Sequence, residues 1–358
     1  MPHAVPADPA RPGPLLSLAS AALFGVSVPL SKLLLPSASP VLVAGLLYLG
    51  AGLGLFALPS VVPSVRRRSE AALTVRDLPL MVGIVLLGGI LAPVLLLTGL
   101  ERVSGVVGSL LLNLEAPLTI LVAVLLFREH LGRREIACVG FVLLGAVALG
   151  FRPGDVRVDP LGLLAVAGAC LAWAFDNNLT QRLSGKDPVA ITRVKCLAAG
   201  GVNLVLASVL GSSLPGTGVL VASMLLGLAS YGVSLVIATV AMRRIGAARH
   251  AAYFASAPFV GAVLAVPLLG EVPRWTDVLG MVFMALGLAA LLRERHGHSH
   301  VHEALEHEHA HRHDAHHQHD HPAGIGPGEP HVHVHRHDQL EHDHEHASDL
   351  HHRHAHPS

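Results

Sequence analysis

Charge is scarce in this chain: Asp, Glu, Lys and Arg make up 14% of its 358 residues, against 52% hydrophobic. So little charge excludes an ordinary soluble domain and places most of the chain in lipid. Aromatic residues reach only 4%, and no stretch interleaves them with basic residues, so nothing reads as a nucleic-acid surface. The three cysteines, Cys138, Cys170 and Cys196, lie in or at apolar segments without CxxC spacing. That excludes a disulfide framework or a zinc knuckle and leaves them as packing residues. No phosphate loop, HExxH pair or nucleophile–base pairing stands out, so an enzyme is the class with least support.

The formal net charge of zero is a cancellation between two unlike parts. Residues 296–358 hold 23 of the 26 histidines, with eleven acids against three arginines, a net charge of −8 with neutral histidine. The body balances this at +8. Residues 1–30 resemble a signal peptide, with Arg11 ahead of an apolar run, yet Pro29, Lys32 and Pro36 fit a retained first span better than a cleavage site.

Apolar runs suited to spans of roughly 20 residues lie near 15–35, 41–62, 78–100, 105–127, 134–151, 160–183, 190–210, 217–241, 246–269 and 275–292. Runs of this length without strand alternation indicate helices and exclude a barrel. The expected fold is an all-α integral membrane body of ten transmembrane helices. The stretch 105–150 recurs from Gly246 onward: Ala116-Pro117 matches Ala257-Pro258, Glu129 matches Glu271, Glu135 matches Asp277 and Gly145 matches Gly287. Weaker echoes set Phe24 against Trp173 and Pro40-Val41 against Pro188-Val189. The domains expected are a cytoplasmic segment 1–14, a five-helix repeat 15–151, a linker 152–159, a second five-helix repeat 160–292 and a disordered histidine-rich tail 293–358.

Orientation follows from basic residues in the short loops, which stay on the cytoplasmic side. In the first half they concentrate at Arg66, Arg67, Arg68 and Arg76 and at Arg128, Arg133 and Arg134. In the second they concentrate at Arg182, Lys186, Arg193 and Lys195 and at Arg243, Arg244 and Arg249, so the bias flips between equivalent loops. Related halves with opposite bias insert upside down relative to each other, the inverted repeat of many secondary transporters. Both termini are then cytoplasmic, with Arg152 and Arg157 as exceptions outside.

With its alanine-proline pairs, the helix-terminal Glu129 and Glu271, and Gly145, Gly280 and Gly287, the pattern resembles the drug/metabolite transporter superfamily over roughly residues 15–292. The resemblance is to its EamA-like ten-helix members, with Cys138 standing where Gly280 stands in the second copy. It implies export or import of small metabolites, often amino acids or nucleotide-linked compounds, by ion-coupled or exchange transport.

Two polar islands interrupt the apolar body. Glu115 lies near the middle of the fourth span, flanked by Asn113 and by Pro117, which leaves a backbone carbonyl unpaired. An acid at that depth costs at least ~2.5–3.5 kcal/mol, so it is expected to face a cavity or partner in a transport role, with a packing hydrogen bond as the alternative. The second copy has Ser256 there. Asp176, Asn177 and Asn178 form the other island, with Asp176 and Thr180 on one helix face and Asn177 about 100° away. Asp176 is placed equally as a pathway residue or as a solvated interfacial acid, with Arg193 and Lys195 near enough to pair or snorkel. Two carboxylates in one transmembrane cavity suit proton coupling or a cationic substrate. His250 reads as interfacial, Glu129 as paired with Arg128 or Arg133, Glu271 as paired with Arg274, and Gly50, Gly52, Gly54, Gly88 and Gly89 as close helix packing.

The tail alternates histidine with acids and has almost no apolar residues, so disorder is expected. Neutral imidazoles beside carboxylates suit Ni²⁺, Cu²⁺, Zn²⁺ or Co²⁺. The candidate ligands are His296, His298, His300, His302, His307, His309, His311, His313, His331, His333, His335 and His337. A solubilising tail or a pH sensor is the alternative. No cofactor is required on this reading, and the partners are the lipid bilayer and a small-molecule or ion substrate, with monomer and homodimer both open. The leading expectation is an inner-membrane secondary transporter that exports a small solute and carries a metal-binding cytoplasmic tail. A divalent-metal transporter, or a membrane-anchored metal store or sensor, is the alternative.

Overall fold

The computed structural model describes residues 13–61, 71–127, 133–151, 159–183, 186–245, 250, 253–292 and, in the tail, 296–302, 305–311, 331–337 and 340–346. The body is all helix: α1 (Gly13–Gly25), α2 (Ser27–Leu34), α3 (Pro40–Val61), α4 (Leu78–Ile84), α5 (Ala92–Leu100), α6 (Gly105–Leu111), α7 (Glu115–Phe127), α8 (Arg133–Gly150), α9 (Pro160–Gln181), α10 (Pro188–Val209), α11 (Thr217–Gly227), α12 (Ser234–Ile245), α13 (Ala257–Leu269) and α14 (Trp275–Leu292). Six helical stretches among the described residues are long and apolar enough to cross a membrane, and four shorter apolar helices accompany them. Large apolar side chains such as Leu15, Leu125, Val147, Leu164 and Trp275 stand exposed. In lipid that exterior is solvated rather than hidden, as a multi-pass membrane protein requires.

Local chemistry sets the helix ends. Asp159 and Asp187 each cap the helix that follows, their side chains accepting from Leu161 N and from Val189 N and Ala190 N, with proline at the first helical position. Gly270 closes α13 at φ 65°, a left-handed turn that favours glycine. At the exposed start of α9, the Arg102 guanidinium 2.7 Å from Asp159 is the main cause holding that carboxyl below its usual range. That contribution is present at neutral pH and fades as pH falls through the carboxylate range.

Two helices carry a wider π-turn in mid-span, Val85–Leu91 between α4 and α5 and Leu228–Val233 between α11 and α12. Each falls in the third apolar segment of its half. Helix packing respects the same correspondence: α3 packs on α10, α8 on α14 and α6 on α13, while α5 packs on α9 as α12 packs on α1. The three equivalent pairs run antiparallel. Gly45 faces Leu204 while Gly52 faces Leu197; Gly287 faces Cys138 while Gly280 faces Leu149; Gly105 faces Leu269 while Gly261 faces Ser109. The buried core runs continuously through both halves, from Leu42, Leu47 and Leu97 to Trp173 and Met284. Cys138, Cys170 and Cys196 are buried and form no disulfide.

In the tail, β1 (His296–His302) pairs antiparallel with β4 (Leu340–His346), and β2 (Leu305–His311) with β3 (His331–His337). This departs from the disorder expected of so polar a segment. Strict alternation fits the two-residue period of a strand, and the ladder takes up backbone groups that would otherwise bond to water. His313 lies outside the described residues, as do Glu129 and the basic residues Arg66 to Arg68.

Candidate functional site

A cavity of about 450 Å³ opens between the two halves. Its walls come from α1 (Phe24), the 3-10 turn Leu112–Leu114 with the start of α7 (Leu112 to Ile120), α8 (Cys138, Val142), α9 (Asn177), the segment into α13 (Phe254 to Pro258) and α14 (Leu288). Pro117 cannot donate a helical hydrogen bond, and the helix is irregular just ahead of it, where α6 gives way to the 3-10 turn and then to α7. That irregularity sets Asn113 and Glu115 on the cavity wall.

Among the described residues, Glu115 is the one carboxylate on this lining. Its Oε1 accepts from Asn177 Nδ2 at 2.8 Å, and Asn177 also reaches Thr119 Oγ1 at 3.4 Å. Thr119 in turn donates to the Glu115 backbone carbonyl at 2.8 Å. Asn178 donates to the Thr119 and Ala174 carbonyls at 3.1 and 2.8 Å, so it ties α9 to α7 rather than facing the cavity. Asn113 donates to Leu110 O at 2.9 Å and touches Met284 Sδ at 3.8 Å. Phe24 and Phe254 also line the cavity, 5.5 Å apart, and Phe24 meets Tyr231 edge-on.

Asp176 does not share this cavity. It points to the other side of α9, is buried and forms an ion pair with Lys195 of α10. The expectation of two carboxylates in one cavity is therefore corrected: the 100° step between neighbouring helical residues sends Asn177 to Glu115 and Asp176 to Lys195. Nor is Asp176 a solvated interfacial acid. The pair sits against Gly88, where any side chain would collide with the Asp176 carboxylate. The π-turn that contains Gly88 leaves carbonyls available: Tyr48 OH and Trp173 Nε1 donate to Gly88 O at 2.8 and 3.1 Å, and Asn203 donates to Gly89 O at 3.2 Å. Gly88 and Gly89 thus do more than let helices approach.

A buried pair that loses one member leaves the other charge uncompensated. Asp176→Asn should lower stability by roughly 3–5 kcal/mol, read as thermal unfolding in detergent. The double replacement Asp176→Asn with Lys195→Met should lose much less. Equal losses in both variants would deny the pair its structural role.

A further placement differs from expectation. Glu271 does not pair with Arg274; its carboxylate accepts from Gly105 N at 2.6 Å and Val106 N at 2.9 Å, capping α6 from the end of α13. Lys32 lies beside it, donating to Leu100 O and Val103 O at 2.5 and 2.6 Å. Its charge senses both Glu271 and Glu101. These contacts tie α2, α6 and the end of α13 together. His250 is buried within the helical body, with Nδ1 3.0 Å from Ser17 Oγ and its ring against Phe254. Ser256, the counterpart of Glu115, donates to Tyr253 O and begins α13.

Sequence reasoning missed Phe24, Phe254 and Thr119 as cavity residues. Phe24 carried a faint signal in its match to Trp173; the other two carried none.

An apolar helical body with a largely apolar cavity that carries a few polar groups, set between two similarly packed halves, fits a multi-pass membrane transporter, and known proteins agree. The EamA-like transporter family matches residues 11–151 and again 160–293. The chain belongs to the EamA-like transporter family, consistent with the drug/metabolite transporter superfamily. It is 33% identical over 264 residues to an uncharacterized transporter of Methanothermobacter thermautotrophicus, covering 69% of this chain and 76% of that protein. A solved crystal structure, 20% identical, superposes with a TM-score of 0.56 over 78% of this chain and 95% of its own, a likeness of fold alone.

Proposed function

We propose that this protein is an inner-membrane secondary transporter that exports a small solute by alternating access through the cavity at Glu115. The observation that carries the reading is the cavity itself, lined from both halves and holding one half-buried acid, Glu115. Ten spans form two inverted five-helix repeats. The double family match, the antiparallel packing of α3 on α10, α6 on α13 and α8 on α14, and the paired π-turns support the repeat. Inversion puts the binding site at the repeat interface, where rocking of the halves exposes it to one side and then the other.

Both termini lie in the cytoplasm on the basic-loop bias. The cavity then occupies the cytoplasmic half, and the knot of Lys32, Glu271 and α6 seals the outer half, an inward-facing state. Filling the cavity tests the reading. In proteoliposomes loaded with cellular metabolites, Ala255→Trp should stop the release of whichever solute the wild type releases. Release unchanged by that variant would place the pathway elsewhere.

The histidine-rich tail binds divalent metal such as Ni²⁺, Zn²⁺, Co²⁺ or Cu²⁺ in the cytoplasm, as buffer or regulator. Its alternating His residues and interspersed acids support this. A chain ending at Arg295 should lose nearly all Ni²⁺ and Zn²⁺ binding in titration calorimetry while releasing the same solute. Loss of that solute from the profile would show the tail to be part of transport.

A further inference from the structure

The cavity has walls of one charge sign. Among the described residues, Glu115 is its only carboxylate, and neither lysine nor arginine lines it. Lys195 of α10, the cation that meets the neighbouring face of α9, is engaged by Asp176. Glu115 Oε1 is held by the Asn177 amide, while Oε2 has no donor among the described residues. An anionic solute would meet this carboxylate without a countercharge. A neutral solute would make no use of the carboxylate's charge. A positively charged solute answers both difficulties.

The aromatic lining fits the same conclusion. Phe24 and Phe254 both line the cavity, their ring centroids 5.5 Å apart, and much of the remaining lining is aliphatic. Aromatic faces attract organic cations through their quadrupole, most strongly where water is excluded. An inorganic divalent ion finds a poor site here, since a single carboxylate with amide and hydroxyl neighbours supplies too few hard ligands of fixed geometry.

We propose that the transported solute is a monovalent organic cation, an amine or quaternary ammonium. Its charged group meets Glu115 Oε2 and its apolar body lies against Phe24 and Phe254. This rests on the cavity being the solute pathway.

The test is equilibrium binding to the purified full-length protein in nanodiscs. The probes are ω-phenylalkyl ammonium ions with two to six methylenes, each beside its matched alcohol and carboxylate. The expected result is saturable binding of at least one ammonium ion. It should weaken at least ten-fold in Glu115→Gln and be lost in Ala255→Trp, while the alcohols and carboxylates do not saturate. Circular dichroism and elution volume establish that both variants stay folded. Saturable binding of alcohols or carboxylates with equal affinity overturns the proposal, as does ammonium binding indifferent to Glu115→Gln, or no saturable ammonium binding at all. The pathway reading fails separately: there, Ala255→Trp leaves solute release in proteoliposomes unchanged. If Ala255→Trp blocks release of a neutral or anionic solute, the pathway stands and the cation assignment falls.

Discussion

Glu115→Gln is expected to abolish transport while leaving the protein folded and inserted. Glutamine keeps the shape and can still take the Asn177 amide on its carbonyl oxygen, so the 2.8 Å contact between α7 and α9 survives. What disappears is the charge at the one acidic point of the cavity wall. A charge-assisted hydrogen bond contributes roughly 1.5–3 kcal/mol, about ten- to hundred-and-fifty-fold in affinity at the binding step alone. A coupling proton, if one moves, also loses its only seat on that wall. Transport should therefore fall by two orders of magnitude or more, on the order of what a lost proton-transfer group costs. Unfolding temperature should shift little, because no buried cation is left unpaired. Flux at wild-type rates would remove Glu115 from the pathway.

The second large effect is structural. Gly227 ends α11 where it crosses α3, and a Cβ there would collide with the Leu47 carbonyl and stand 2.7 Å from Leu47 Cα. Across the same crossing, a Cβ on Gly50 would stand 2.6 Å from Met224 Cα. Backbone against backbone leaves no side chain to turn aside, so the helices themselves must separate. Gly227→Val should cost more than the roughly 1–3 kcal/mol of ordinary overpacking, because α3 also packs on α10 and on the adjoining π-turn. The expected outcome is little or no monodisperse protein from detergent extraction. Gly201→Ala, at a position open to space, should extract normally. Normal yield and melting for Gly227→Val would show that the α3–α11 crossing is looser than described.

The sequence revealed the body of the fold, because lipid permits few backbone solutions and the apolar runs are long. The match of Ala116-Pro117 with Ala257-Pro258 divides the sequence into two halves, and the family matches fall on 11–151 and 160–293. Glu115 stood out because an acid in an apolar run is conspicuous. Its partner Asn177 was legible only as a direction, about 100° from Asp176, and the direction alone did not reveal that the two side chains serve different neighbours. Glu271 was misread because its role depends on a contact between α13 and α6, 166 residues apart, which local spacing does not encode. Phe24 and Phe254 look like any apolar residue until the helices pack. The tail was read as unordered because composition reports the lack of a core, whereas strand pairing needs only alternation and a partner of matching register.

The decisive measurement is solute and metal flux in proteoliposomes, comparing the full-length protein, a chain ending at Arg295 and Glu115→Gln. The result expected is one organic cation crossing at similar rates with the first two proteins and not with the third, and no saturable movement of Ni²⁺, Co²⁺ or Zn²⁺. Saturable metal flux that survives truncation and depends on Glu115 would contradict this, making the metal the cargo and the tail its collector.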